Sequence, residues 1–321
     1  MKTLINFTLS VVLGLLLTTA SHAAGFAGKK VLYIDSYHAG YDWSDGVTSG
    51  VKSVIDKSGA DLKIHRMDTK RNASEDFKKE AALKAKAVIE SYQPNVVIAS
   101  DDNASKYLIE PYYKDAALPF VFCGVNWDAS VYGFPYSNVT GMVEIEDIDG
   151  LTKQLAQFAK GDRLGYIGGD VATDRKVAEN MEKVLGRKMV KHFAKDFAEF
   201  KTAWKALQSE ADMLFFFSQA GIKGWNDDEA KSFIAANTSI PTGASQLGTV
   251  PYVMVGYIKI AEEQGEWAAN TALKIMGGAS PKSIPIVTNE RGRLVLNAKM
   301  ANAANIEMPY SLIEVADSVI E

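Results

Sequence analysis

The sequence predicts an α/β protein of two lobes, each built on a parallel sheet covered by helices on both faces. Three observations predict it. Short apolar runs at 31–34, 96–99 and 213–217 read as strands buried on both sides. Helical patterns alternate with these runs, which calls for parallel pairing through crossover helices. The alternation restarts near Asp147, so it occurs twice along 321 residues, room for two domains of about 150 residues each.

The first 23 residues stand apart. Lys2 gives a basic start, 9–17 is apolar, and Ser21-His22-Ala23 supplies the small residues of a cleavage site, the pattern of a secretory signal peptide. Cleavage near Ala23 would leave a periplasmic chain, and no Cys follows the apolar core to take a lipid. No later stretch is apolar enough to span a bilayer. The apolar fraction of 47% supplies a full core, and the net charge of −4 argues against nucleic acid or an anionic membrane as partner. The single cysteine, Cys123, excludes an internal disulfide. It closes an apolar run with no base nearby in sequence, and reads as a small buried strand-end residue.

The first strand, 31–34, delivers Asp35, Ser36, Tyr37, His38, Tyr41 and Trp43 to the edge where open α/β sheets bind ligands. Ser44 and Asp45 are expected to cap a helix over 46–56. Residues 62–67 alternate as a second strand, with His65 and Arg66 as surface groups. Ser74 or Asn72 caps a long helix, 75–91, and Pro94 stops it. The strand 96–99 ends in Ser100-Asp101-Asp102-Asn103, short polar side chains that suit both capping of the next helix, 104–114, and ligand contact. Strand 119–123 opens into Gly124-Val125-Asn126-Trp127-Asp128. There Gly124 permits a sharp turn, Asn126 offers donor and acceptor together, and Trp127 offers a flat apolar face. Residues 139–143 form a fifth strand.

The second series runs helix 151–159, strand 163–167, then Gly168-Gly169-Asp170 and a helix from Thr173 to 185. Strand 188–193 and helix 197–208 follow. Strand 213–217 ends in Ser218-Gln219, helix 227–236 comes next, and strand 240–244 ends in Ser245-Gln246. A helix over 257–276 carries Gly265 in its interior, and strands 284–288 and 294–296 and a helix 298–304 complete the pattern. A tail of this kind predicts more than one crossing between lobes, and the lack of a low-complexity linker predicts a hinge of several strands. The expected division is 24–142 for the first lobe and 143–250 for the second. Residues 251–321 then return to the first lobe and end across the hinge.

Four stretches resemble one family, the periplasmic substrate-binding proteins of ABC transporters with type I architecture. Within it they look like the branch of tryptophan- and tyrosine-type uptake proteins and related sensor modules. The stretches are Ser36-Tyr37-His38 with Tyr41-Asp42-Trp43-Ser44-Asp45-Gly46; Ser100-Asp101-Asp102-Asn103-Ala104 with Leu118 to Asn126; Asn138-Val139-Thr140-Gly141-Met142; and Leu296-Asn297-Ala298-Lys299 through Ile306, Met308-Pro309, Leu312 and Ala316-Asp317. One departure is Ala304-Asn305, where members often have Gly before the Ile; Asn also tolerates a left-handed turn. The resemblance implies two Rossmann-like lobes with parallel sheets, joined by a multi-strand hinge and closing on a small molecule. It implies first-lobe contacts from Ser36, Tyr37, His38, Ser100, Asp101, Asp102 and Asn126. Strand order adds second-lobe candidates: Gly169, Asp170, Thr173, Ser218, Gln219, Ser245 and Gln246.

The residues favour binding over turnover. Beyond the leader, His38, His65 and His192 are far apart and lack metal-ligand spacing. There is no GxSxG elbow, phosphate loop or GxGxxG, so no cofactor or metal is expected. An acid/base couple at Asp101-Asp102 is disfavoured because adjacent residues at a helix start point apart. Tyr37, Tyr41, Trp43 and Trp127 can sandwich a flat moiety, although each alone also suits packing of its own loop. Asp101, Asp102 and Asp170 can take an ammonium group, and helix starts can hold a carboxylate. That set suits an amino acid; sugars use similar groups and stay open. The expected state is a monomer that passes its small molecule to an inner-membrane ABC permease. A membrane sensor kinase or cyclase is the alternative partner, and a periplasmic hydrolase the remaining alternative.

Overall fold

The computed structural model describes residues 25–72 and 74–321; the expected signal peptide lies outside the described residues. The first series of strands is β1 (Lys30–Asp35), β2 (Asp61–Arg66), β3 (Val96–Ser100), β4 (Phe120–Asn126) and β5 (Val139–Glu144). The second is β6 (Leu164–Gly169), β7 (Val190–Ala194), β8 (Met213–Phe216), β9 (Thr242–Ala244) and β10 (Val255–Lys259), and the tail adds β11 (Val287–Thr288), β12 (Gly292–Asn297) and β13 (Ser318–Ile320). They form two sheets. One has the order β11-β5-β4-β3-β1-β2 and is parallel throughout. The other has the order β13-β12-β10-β9-β8-β6-β7, in which the β10–β12 pairing is antiparallel and the other pairings are parallel, so β12 and β13 run opposite to the remaining five strands.

Helices cover both faces of the first sheet. They are α1 (Asp42–Ile55), α2 (Glu75–Tyr92), α3 (Asp101–Ala104), α4 (Glu110–Tyr112) and, from the tail, α9 (Ala261–Met276). On β1, Val31 and Tyr33 join a core with Val47, Val51 and Ala268, while Leu32 and Ile34 join the opposite one with Ala82, Ala85 and Leu108. That alternation is the period of two that a strand imposes. The second sheet carries α5 (Ile148–Ala156), α6 (Ala172–Leu185), α7 (Phe197–Glu210), α8 (Asp227–Ala236), α10 (Ala298–Ala303) and α11 (Tyr310–Glu314) around one core that includes Leu151, Met181, Phe200, Trp204 and Phe216.

Glycines let α9 close on α1. A Cβ on Gly265 would sit 2.1 Å from the Val47 carbonyl oxygen, and one on Gly50 would sit 2.2 Å from that of Glu262. The two helices therefore touch backbone to backbone, which accounts for a glycine in a helix interior. The chain passes between the sheets three times: from β5 into α5, from β10 into α9, and from β11 into β12. The first and third passages are tied together, since Asn289 Oδ1 accepts from the Ile145 amide at 2.8 Å.

Several local expectations need correction. Helix α1 begins at Asp42, so Ser44 and Asp45 lie inside it and neither caps it. Residues 257–259 are strand, because Tyr257 and Ile258 pair with Leu294 and Arg293 of β12 and only then does α9 begin. The helix after β3 starts at Asp101 without a side-chain cap from Ser100, and it contains a π-helical turn over Ser105–Ile109. Arg66 is no loose surface group: its Nε lies 3.2 Å from the buried Asp35 Oδ2. Among the described residues no helix is long and apolar enough to cross a membrane.

Candidate functional site

The carboxyl ends of β1, β3 and β4 converge, and a bulge in β4 makes room for them. The register of β4 against β5 shifts between Phe122 and Val125. Gly124 takes φ +68°, and a Cβ there would come within 2.9 Å of Asp101 Oδ1. Asp101 itself takes φ +70° and is 1% exposed. A non-glycine residue in that region costs about 1–3 kcal/mol, and such outliers gather at binding and catalytic sites. The Trp43 indole N–H donates to Asp101 Oδ1 at 2.9 Å, and Asp101 Oδ2 has no partner among the described residues. Burial, and then the nearby Glu144, push the Asp101 carboxyl well above the usual carboxylate range.

Around Asp101 the polar groups form one connected set. Asp102 accepts from Asn126 Nδ2 at 2.6 Å and from the Tyr132 hydroxyl at 2.7 Å. The Trp127 amide donates to the Glu144 carbonyl at 2.9 Å, and the Trp127 ring packs against the cores of both lobes. Lys259, at the end of β10, pairs with Glu144 and lies 3.0 Å from Glu146; its ammonium stands 5.5 Å from the Trp43 ring centroid. Burial opposes the Lys259 charge, but Glu146 and Glu144 more than offset it and hold its pKa above the usual lysine range. Burial raises Glu144 in spite of Lys259. Tyr37 faces the same set: burial and then the charges of Asp101, Asp102 and Glu144 drive its phenol pKa up.

Other residues anticipated in the first lobe take structural places. Ser36 is fully buried. Its hydroxyl donates to the Ser100 carbonyl at 2.5 Å and accepts from the Ala104 amide at 2.9 Å, so it caps the helix after β3 from across the sheet. Ser100 is also fully buried, and its hydroxyl accepts from Tyr33 at 3.1 Å. His38 is half-buried beside Tyr41, with Nδ1 2.9 Å from the Ala39 carbonyl. Cys123 is buried, as expected of a strand-end residue, and burial pushes its thiol up.

The second-lobe candidates lie at or just past the carboxyl ends of β6, β8 and β9, with Gly169 the last residue of β6. Gly169 packs on Gly221, whose Cα would lie 2.8 Å from an added Cβ, and its amide donates to the buried Asp174 at 2.6 Å. Asp170 is held by Arg175 at 2.6 Å, and the guanidinium lies 4.3 Å from the Phe193 centroid. Thr173 is exposed in the first turn of α6. Ser218 accepts from the Ala220 amide at 3.1 Å. Gln219 Oε1 and the Gln246 carbonyl both approach Thr249, at 3.5 and 2.9 Å. Ser245 is 2% exposed with its hydroxyl unpartnered among the described residues. Across the gap, Ser130 hydrogen bonds depress the Asp128 carboxyl, and Lys183 and Lys176 of α6 lower it further.

Sequence reasoning did not single out Tyr132, Glu144, Glu146 or Lys259. The only available signal was the position of Glu144 at the end of a strand. Lys259 was obscured by reading its strand as helix.

The family model for ABC transporter substrate-binding proteins matches residues 35–320. No curated relative matches the sequence. A ligand-free, open substrate-binding protein with adhesive properties from Clostridium difficile is 17% identical, with a TM-score of 0.70 over 91% of this chain and 99% of that one. A domain from Streptococcus pneumonia in complex with L-Trp is 16% identical, with a TM-score of 0.50 over 92% and 100%. A periplasmic ribose ABC transporter protein from Conexibacter woesei is 14% identical, with a TM-score of 0.52 over 89% and 98%. At these identities the solved structures share the fold, two mostly parallel sheets with interleaved helices. With the family model spanning both sheets, the chain belongs to the ABC transporter substrate-binding protein family.

Proposed function

We propose that this protein is an exported receptor that traps a small amino compound, an amino acid or a relative of one, between its lobes and hands it to an ABC permease. The observation that carries the reading is Asp101. It is a buried carboxylate in a strained backbone conformation, with one oxygen held by Trp43 and the other unpartnered among the described residues, at the carboxyl edge of the sheet. Strain kept at that edge suits a group held ready for a ligand. Tyr37, Trp43 and Trp127 supply flat faces, while Asp102 and Asn126 supply a polar rim. For the second lobe the reading assigns Ser245, Gln219 and Gln246 to the same ligand, supported by their position past the carboxyl ends of β8 and β9. The proteins that share this fold differ in cargo, so the ligand class is drawn from the site.

A thermal-shift panel of amino acids, sugars and small organic acids tests the reading. A ligand at 100 times its dissociation constant adds about 2.7 kcal/mol of stability. The reading requires stabilisation by an amino compound that survives unchanged in mass; its conversion to product would make the protein an enzyme instead.

A further inference from the structure

We propose that the ligand of this cleft presents an organic cation, and that Lys70 is its tethered stand-in. The inference rests on the binding reading above and specifies the chemistry of its ligand. Lys70 Nζ lies 5.0 Å from the Tyr37 ring centroid and 4.9 Å from that of Tyr41. The two rings meet edge to face, 5.6 Å apart at 86°, and form a two-walled aromatic notch. Both distances are within cation–π range. The carboxylate nearest in sequence does not compete for this ammonium, because Asp68 is already gripped by Arg71 through Nε at 2.7 Å and Nη2 at 2.9 Å.

Charge points the same way. Asp101 is held by an indole N–H, and Asp102 by an amide and a phenol, all neutral donors. The nearby cation, Lys259, is divided between Glu144 and Glu146. No positive side chain of the described residues pairs with Asp101 or Asp102, and both act electrostatically on Tyr37, one wall of the notch. An aromatic notch beside the uncompensated carboxylate of Asp102 attracts a weakly hydrated ammonium, and the buried carboxyl of Asp101 adds an oxygen that is unpartnered among the described residues. Neutral sugars gain nothing from that surplus charge. Lys70 fills the notch until such a ligand displaces it.

Choline and its neutral isostere 3,3-dimethylbutan-1-ol form the probe pair, titrated calorimetrically into the full chain. Choline is expected to bind about 5-fold or more tightly than the isostere. Lys70→Ala removes a tethered competitor and is expected to tighten choline binding about 2- to 5-fold. Tyr41→Leu should abolish the preference for choline, and Tyr41→Phe, which keeps the ring, should retain it. Equal affinity for the two probes, an unchanged choline affinity in Lys70→Ala, or no choline binding to either protein would each overturn the inference. If a neutral sugar stabilises the protein in the panel and choline does not, the cation fails while the receptor survives. If nothing in the panel binds, the receptor reading fails as well.

Discussion

The Trp43 indole N–H donates to Asp101 Oδ1 at 2.9 Å, joining the first turn of α1 to the end of β3 beneath the cleft. This is the hydrogen bond that α1 gives to a carboxylate the fold has buried near Glu144 and Asp35. Trp43→Phe keeps the ring and removes the donor. Leaving a buried carboxylate short of a partner costs about 1–3 kcal/mol, so urea denaturation is expected to show a loss in that range. A loss below about 0.5 kcal/mol would mean that Asp101 finds another donor.

The same carboxylate sets a pH dependence. Its pKa is raised in the folded chain, so the native state binds more protons than the unfolded one. Stability from this group is therefore complete below the ordinary carboxylate pKa of about 4 and falls as pH rises toward the folded value. Asp101→Asn should flatten the fall in melting temperature between about pH 4 and neutrality. A wild-type profile with the same slope as the variant would exclude this origin.

Lys259 is the counter-charge of the hinge. It joins β10 of one sheet to Glu144 and Glu146, which end β5 of the other and begin the first crossing. Lys259→Met leaves two buried carboxylates facing each other. Breaking a buried pair costs about 3–5 kcal/mol, and here part of the loss should return on acidification, when Glu144 takes a proton. Chemical denaturation at pH 7 and pH 5 reads both effects.

Gly265→Ala tests how α9 is fixed to the first lobe. Its Cβ would lie 2.1 Å from the Val47 carbonyl oxygen, so the helices must separate. Overpacking of this kind costs about 1–3 kcal/mol, measured as a drop in the urea midpoint. Gly278→Ala is the control for open space, since nothing lies within 4 Å of its Cβ; with φ +107° it carries backbone strain alone.

Much of the architecture was legible in the chain because buried parallel strands are short and wholly apolar. Runs such as Val96 to Ala99 therefore announce both strand and depth. The site was legible only as an edge. Composition places Ser36, Asp101 and Asn126 past strand ends, but it does not say which way each side chain turns. Ser36 turns inward to cap a helix that begins 65 residues later, a partnership no local window contains. Asp101 owes its position to the bulge at Gly124, which depends on pairing with β5. Lys259 was lost to a period error. Tyr257, Ile258 and Lys259 run directly into a helical pattern, and only the antiparallel partner β12 holds them as strand.

The central claim is that a solute draws the two lobes together, and the lone cysteine makes a direct measurement simple. Cys123 is buried, so Ser130→Cys beside Asp128 and Lys176→Cys on α6, both exposed in the native chain, can carry spin labels on opposite lobes. The label-to-label distance distribution is recorded with and without the compound that stabilises the protein in the thermal-shift panel. The account predicts a shorter, narrower distribution on binding, and no shortening when Asn126→Ala is added. A compound that binds tightly while the distance stays fixed would contradict capture between the lobes.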